Sequence, residues 1–179
     1  MNTKFILCAL VFVSIISSQQ TDRFHAGTVI PDYGKVATVE SDLKIDAETK
    51  LKLRFDVAEK SDSDSINRTF DSAARFINLN VESGANPSNV KVAIVVHGQA
   101  AIDVTKSRFY SSKSEGGDNP NVKVVYELQK NGTSIYICGQ TAAWLGIEKA
   151  DLLPKVKLAP SAMTAHAILD QEGFALCPF

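Results

Sequence analysis

Cys138 and His97 are the two side chains whose types and positions best suit chemistry. Cys138 directly follows an apolar segment at residues 133–137, and His97 directly follows an apolar segment at residues 90–96. A cysteine thiolate is a nucleophile, and an imidazole can accept or donate a proton near neutral pH. The two residues therefore form a candidate nucleophile and base, provided that the fold brings them together.

The segments that precede these two residues have the pattern of buried strands. Residues 90–96 are almost continuously apolar and rich in β-branched side chains, as in a strand covered on both faces. Residues 50–58 alternate polar and apolar side chains, which is also a strand pattern. Further strands are predicted at residues 133–137, 156–158 and 174–176.

Segments with helical character separate these strands. Apolar side chains recur at helical spacing between Ile66 and Val81, which predicts a first helix there. Further helices are predicted at residues 101–109, 120–130, 142–145 and 161–172. The helix at residues 161–172 is expected to bury Met163 and Ile168. This alternation predicts an α/β domain with a parallel sheet and helices on both faces.

In a parallel sheet, ligands bind beyond the carboxyl ends of the strands, where Cys138 and His97 both fall. The helix after Cys138 adds N–H groups and a dipole that favour a thiolate. Gly139 allows the backbone to approach a ligand closely, Gln140 can donate a hydrogen bond to an anion, and Gly98 completes the candidate binding residues. Alternatively, Cys138 is a buried structural cysteine and His97 a hydrogen-bonded residue at the sheet rim.

The remaining cysteines and histidines are weaker candidates. Cys8 lies within the first twenty residues, whereas Cys177 is either a core residue or a disulfide partner of Cys138. His25 and His166 have no motif around them and are taken as incidental. Scattered histidines without a C-x-x-C motif predict no metal site, and the lack of a glycine-rich phosphate loop predicts no nucleotide cofactor.

Composition bounds the class of protein. The chain has 179 residues, of which 45% are hydrophobic and 22% are charged, so a single globular domain is expected. Its formal net charge is −1 at pH 7. Because this charge gives no basic field, we predict no nucleic-acid partner.

The first twenty residues have the pattern of a signal peptide. Lys4 precedes an apolar run at residues 5–16, and small or polar residues follow it. The run is shorter than the roughly 20 residues of a membrane span, although an uncleaved anchor is the alternative. We therefore expect an exported protein, periplasmic or secreted, with no membrane attachment after cleavage.

The rest of the chain divides into two parts. Residues 21–49 are mixed and polar, with turn residues at 31–34, and are expected to form an extension on the surface. This extension is predicted to fold as a hairpin or to wrap onto a partner subunit. Residues 50–179 hold all the strands and helices of the predicted domain.

Four stretches of this domain resemble the DsrE/DsrF-like proteins. They are residues 73–84, 90–100, 127–147 and 151–179, so the resemblance spans roughly residues 50–179. The motifs V-V-H-G, C-G-Q and S-A-M-T occur in this order and carry the resemblance.

The resemblance implies a fold, an assembly and a chemistry. The fold would be a three-layer α/β/α domain with a five-stranded, mainly parallel sheet, and members usually form trimers or hexamers. Some members carry sulfur as a persulfide on a cysteine and pass it along a relay. Carried over to this chain, that cysteine is Cys138, and His97 would lie in the same pocket, often at a subunit interface.

Two functions remain open at this point. The first is a sulfur carrier or sulfurtransferase that accepts persulfide sulfur on Cys138 from a donor protein or passes it to an acceptor protein. The alternative is a non-catalytic, oligomeric binding module for a small anion or a protein partner. In a third interpretation, Cys138 is structural and forms a disulfide with Cys177.

Overall fold

The computed structural model describes residues 23–62, 64–114 and 117–178. The predicted signal peptide at residues 1–20 lies outside these ranges. Within them, no helix combines the length and the apolar character needed to cross a bilayer.

A parallel sheet of five strands forms the centre of the fold, in the order β6-β5-β4-β3-β7. Its register aligns Val57 with Val96 and Val96 with Ile137, so three strands end at nearly the same level. The seven described strands are β1 (Phe24–His25), β2 (Val36–Ala37), β3 (Leu51–Val57), β4 (Val90–Val96), β5 (Ser134–Cys138), β6 (Lys157–Ala159) and β7 (Ala175–Leu176). The predicted α/β fold with a five-stranded parallel sheet is confirmed.

Five described α-helices connect these strands, together with short 3-10 helices. The α-helices are α1 (Arg68–Glu82), α2 (Ser107–Lys113), α3 (Val122–Lys130), α4 (Gly139–Leu145) and α5 (Ala162–Gln171). The helix predicted at residues 101–109 is wrong in one respect, because a 3-10 helix (Gly98–Val104) ends before α2 begins. Thr105 causes the break, since its extended backbone bridges to Leu152 and its hydroxyl donates to the Ile102 carbonyl at 2.7 Å.

The two faces of the sheet are covered differently. On the first face, Phe55, Ile94 and Ile137 pack in the main core with the apolar sides of α1 and α3. On the second face, Ala93 and Val95 pack in a smaller cluster with residues of α5. Because strand side chains alternate between faces, the polar residues of β3 also lie on the second face.

The loop after β3 is tied to the segment after β4 by a buried carboxyl group. Asp103 is fully buried and accepts hydrogen bonds from the Ser61 N–H at 2.8 Å, the Ser61 hydroxyl at 3.0 Å and the Asn67 amide at 2.8 Å. Burial raises the pKa of Asp103, because it outweighs the effect of these hydrogen bonds. The bonds fix two loops at the carboxyl edge of the sheet.

The segment before the sheet forms a hairpin that packs on α1. Strands β1 and β2 pair antiparallel, and Ile30 between them is fully buried. The segment was expected to lie on the surface, but Ile30 belongs to the core cluster. The hairpin thus contacts its own chain.

Asn78 of α1 holds this hairpin in place. Its side chain is fully buried, and its carbonyl oxygen accepts from the N–H groups of Val29 at 3.3 Å and Ile30 at 2.8 Å. Its amide nitrogen donates to the carbonyls of Ile30, Tyr33 and Gly34 at 2.9–3.1 Å. One amide therefore satisfies backbone groups that would otherwise be buried without partners.

We expect Asn78→Ala to lower the free energy of unfolding by about 3 kcal/mol, because several buried backbone groups lose their partners. The matched control is Asn89→Ala, which removes one exposed hydrogen bond to the Ala47 carbonyl. Both variants would be measured by urea titration, in which Asn89→Ala should lower the free energy of unfolding by less than about 1 kcal/mol. Equal losses in the two variants would contradict the anchoring role of Asn78.

Candidate functional site

One cavity lies at the carboxyl edge of the sheet, beneath the start of α5. It has a volume of about 500 Å³, and both Cys138 and His97 line it. Cys138 is the last residue of β5, and His97 directly follows β4, the neighbouring strand. The structure thus brings the candidate nucleophile and base into the same cavity.

The Cys138 thiol lies at the beginning of two helices. It is 6% exposed, and burial by itself raises its pKa. Hydrogen bonds from the Thr141 hydroxyl and from the backbone N–H groups of Thr141, Ala162 and Gln140 outweigh burial, so the pKa lies below the ordinary thiol value. These donors stabilise the thiolate, which is the nucleophilic form.

A carboxylate and two imidazoles line the same cavity as the thiol. Asp56, near the end of β3, accepts from Nε2 of His97 at 3.1 Å and from Nε2 of His166 at 2.7 Å. Burial acts to raise the pKa of Asp56, but the hydrogen bonds and charges of the two histidines lower it overall. Asp56 is therefore ionised at neutral pH and acts as the acceptor for both rings.

Asp56 also determines which ring nitrogens carry protons. An ionised carboxylate only accepts hydrogen bonds, so each neutral imidazole carries its proton on Nε2 and keeps a lone pair on Nδ1. Nδ1 of His166 is buried and has no hydrogen-bond partner within the described ranges. The arrangement of thiolate, imidazole and carboxylate suits nucleophilic chemistry with proton transfer.

The sequence did not identify Asp56 or His166. His166 was taken as incidental, yet it lies one helical turn after Ala162, whose N–H donates to the Cys138 thiol. Asp56 is separated from His166 by 110 residues, and no local motif links them. The available signal was strand alternation, which places Asp56 on the face opposite to Phe55.

Arg54 fixes α5 over this face of the sheet. It lies two residues before Asp56 and is 8% exposed. Its guanidinium donates to the Asp170 carboxylate at 2.8 Å and to the Phe174 carbonyl. The contact holds the second half of α5, while the beginning of α5 lies at Cys138.

The three candidate binding residues have defined positions in the backbone. Gly98 has φ +53°, and a Cβ there would lie 2.7 Å from the Ala58 carbonyl oxygen. A Cβ on Gly139 would lie 2.6 Å from the Ala159 carbonyl oxygen, so the first turn of α4 packs directly on β6. Gln140 donates its amide to the Pro160 carbonyl at 3.2 Å. Contact of these residues with a ligand stays a prediction.

Cys177 is far from Cys138 in the sheet. Cys138 ends β5, Cys177 follows β7, and both β4 and β3 lie between them. Three strand spacings amount to roughly 14 Å, whereas a disulfide requires Cα atoms within about 7 Å. The geometry therefore excludes the disulfide interpretation of Cys138.

A metal centre requires side chains that converge on one point. In the part of the chain that the structure describes, no group of three or more His, Cys, Asp or Glu residues is arranged to hold a metal ion.

Comparison with known families agrees with this fold. Residues 54–179 match the DsrE/DsrF-like family. The chain belongs to this family. The hairpin that Asn78 anchors precedes the matched residues. No curated protein matches the sequence.

Two solved structures share the fold of this DsrE/DsrF-like chain. The protein of unknown function MTH1491 from Methanobacterium thermoautotrophicum has 20% sequence identity and a TM-score of 0.53, covering 72% of this chain and 98% of that chain. The ychN protein from E. coli has 13% sequence identity and a TM-score of 0.51, and the match covers 70% of this chain and 96% of that chain. At these identities the likeness concerns the fold alone.

We expect Thr141→Val to slow the alkylation of Cys138 at pH 7 by up to about tenfold, because the thiolate loses a hydrogen bond. The midpoint of the rate against pH should move upward. Rates would be measured with iodoacetamide in a Cys8→Ser, Cys177→Ser background, so that only Cys138 reports.

Thr133→Val is the matched control, since the Thr133 hydroxyl is buried and has no hydrogen-bond partner among the described residues. Its alkylation profile should equal that of the parent. If Thr141→Val also leaves the profile unchanged, the hydroxyl does not stabilise the thiolate.

Proposed function

We propose that this protein is a sulfur carrier that holds sulfane sulfur as a persulfide on Cys138. The observation that carries the proposal is the set of hydrogen-bond donors around the thiol, which come from the beginnings of α4 and α5 and lower its pKa. A thiolate stabilised in this way can attack a sulfane sulfur at neutral pH. Family membership supports the same chemistry.

The imidazoles supply proton transfer in this proposal. When the thiolate attacks a hydropersulfide, the donor leaves as a thiolate and gains stability on protonation. His97 and His166 line the cavity and are both held by Asp56. A carboxylate stabilises an imidazolium, so either ring can take up a proton and deliver it to the leaving group.

The proposal includes assembly of several copies. Large apolar side chains are exposed at the cavity and on α4: Met163 and Leu176 line the cavity and are 80% and 50% exposed, and Trp144 of α4 is 87% exposed. Met163 and Ile168 were expected to be buried, yet Met163 is exposed and Ile168 is 50% exposed. Exposed apolar groups of this size mark interaction surfaces. We assign this surface to subunit contacts in a trimer or hexamer, as is common in the family.

Sedimentation equilibrium of the purified protein should give the mass of a trimer or hexamer. Met163→Lys places a charge in the subunit contact and should shift the mass toward the monomer. The matched control is Lys123→Met, which makes the reverse exchange on α3, outside this surface. It should leave the assembly unchanged. A monomeric parent protein would contradict this part of the proposal.

The proposed location is outside the cytoplasm, periplasmic or secreted. This part rests on the sequence of residues 1–20 alone. A donor or acceptor protein would then belong to the same compartment.

Treatment with a hydropersulfide should add the mass of one sulfur atom to the intact protein. The addition should be absent in Cys138→Ser and unchanged in the matched variant Cys177→Ser, because Cys138, unlike Cys177, lines the cavity with the imidazoles. A reductant should remove the added sulfur.

Two outcomes would contradict the proposal. One is a parent protein that gains no sulfur, and the other is equal addition to Cys138→Ser. A thiol that also titrates at its ordinary value would favour the alternative function, a non-catalytic binding module.

A further inference from the structure

The cavity around Cys138 contains a fixed negative charge. Asp56 lines it together with Cys138, and the two histidines lower the pKa of this carboxyl group. The thiolate adds a second negative charge when it forms. An anion that enters the cavity therefore approaches two groups of its own sign.

The cationic side chain of the cavity is already neutralised. Arg54 lines the cavity, but its terminal nitrogens donate to the Asp170 carboxylate and to the Phe174 carbonyl. The Arg54 side chain is 9% exposed, and the Asp170 side chain is 71% exposed. The net charge of the pair is zero, and the remaining guanidinium nitrogen, Nε, is buried and has no hydrogen-bond partner among the described residues.

Several polar hydrogens of the cavity are already paired. His97 and His166 donate to Asp56, and Gln140 donates to the Pro160 carbonyl. Hydrogen bonds from the backbone N–H groups of Gln140, Thr141 and Ala162 lower the pKa of Cys138. An oxyanion that bound to these groups would displace their existing partners.

What the cavity offers instead is acceptors and apolar surface. A neutral His166 keeps a lone pair on Nδ1, which has no hydrogen-bond partner in the described part of the chain. Ala162, Met163 and Leu176 line the same cavity with apolar atoms. A matching ligand has an apolar group and a hydrogen to donate.

We propose, on the basis of the sulfur-carrier function above, that Cys138 takes its sulfur from an organic hydropersulfide with an apolar substituent and discriminates against sulfur oxyanions. The neutral form, R–S–S–H, carries one donor hydrogen and no charge. Thiosulfate carries two negative charges and only acceptor atoms. The charges and hydrogen bonds of the cavity thus favour a hydropersulfide over a sulfur oxyanion as the sulfur donor.

The transfer step conserves atoms and electrons. The Cys138 thiolate attacks the terminal sulfur of R–S–S–H, the donor S–S bond breaks, and a new S–S bond forms. The products are Cys138–S–S–H and R–S⁻, which takes a proton from an imidazolium or from water. The sulfane sulfur moves without net oxidation, so no further reactant is needed.

The test compares rates of sulfur loading with benzyl hydropersulfide and with thiosulfate. The ratio of the two rates is measured for the protein and for a short cysteine peptide, which corrects for the intrinsic reactivity of each donor. We expect the ratio to be at least about tenfold higher for the protein, equivalent to about 1.4 kcal/mol of discrimination.

Two variants assign this discrimination to charge. Asp56→Asn removes the fixed negative charge and should lower the ratio toward that of the peptide, mainly by faster loading from thiosulfate. Asp42→Asn makes the same change on the exposed surface outside the cavity and should leave the ratio unchanged. Independently of any variant, added salt should speed loading of the parent protein from thiosulfate by screening the repulsion.

The outcomes separate this inference from the function on which it rests. A ratio no higher than that of the peptide, or one that Asp56→Asn leaves unchanged, overturns the donor preference while the carrier function stands. Loading from thiosulfate that is insensitive to salt also counts against it. If neither donor loads Cys138, the carrier function fails and the donor preference fails with it.

Discussion

The contact between α5 and the second face of the sheet is the interaction on which the site depends. Arg54 holds the later part of the helix through Asp170, and Asp56 holds its middle through His166 at 2.7 Å. The Ala162 N–H at the beginning of the helix then reaches the Cys138 sulfur. Without this contact the thiol would lose one of its stabilising donors, and the cavity would lose one wall.

Asp56 connects this packing to chemistry. The same carboxylate positions α5, fixes the proton-bearing nitrogen of both rings and gives the cavity its negative charge. The Asp56 side chain is 44% exposed, and solvent screening leaves such a partly exposed pair little net stabilising effect. Its value here lies in the geometry that it imposes on Cys138, His97 and His166.

The sequence predicted the parts of the site that follow from strand ends. Cys138 and His97 each follow an apolar strand, and parallel strands bring such positions to one edge. Asp56 could not be found in this way, because the strand pattern does not show which helix covers the polar face of β3. His166 required the docking of α5, and the exposure of Met163 shows that apolar spacing alone does not distinguish a core from a subunit contact.

The central claim is that Cys138 carries sulfur inside this cavity. A crystal structure of the protein after treatment with benzyl hydropersulfide tests it most directly. The account predicts one additional sulfur atom bonded to Cys138 Sγ, within the cavity that His97 and His166 line. An unmodified Cys138, or sulfur added to Cys177 instead, would contradict it.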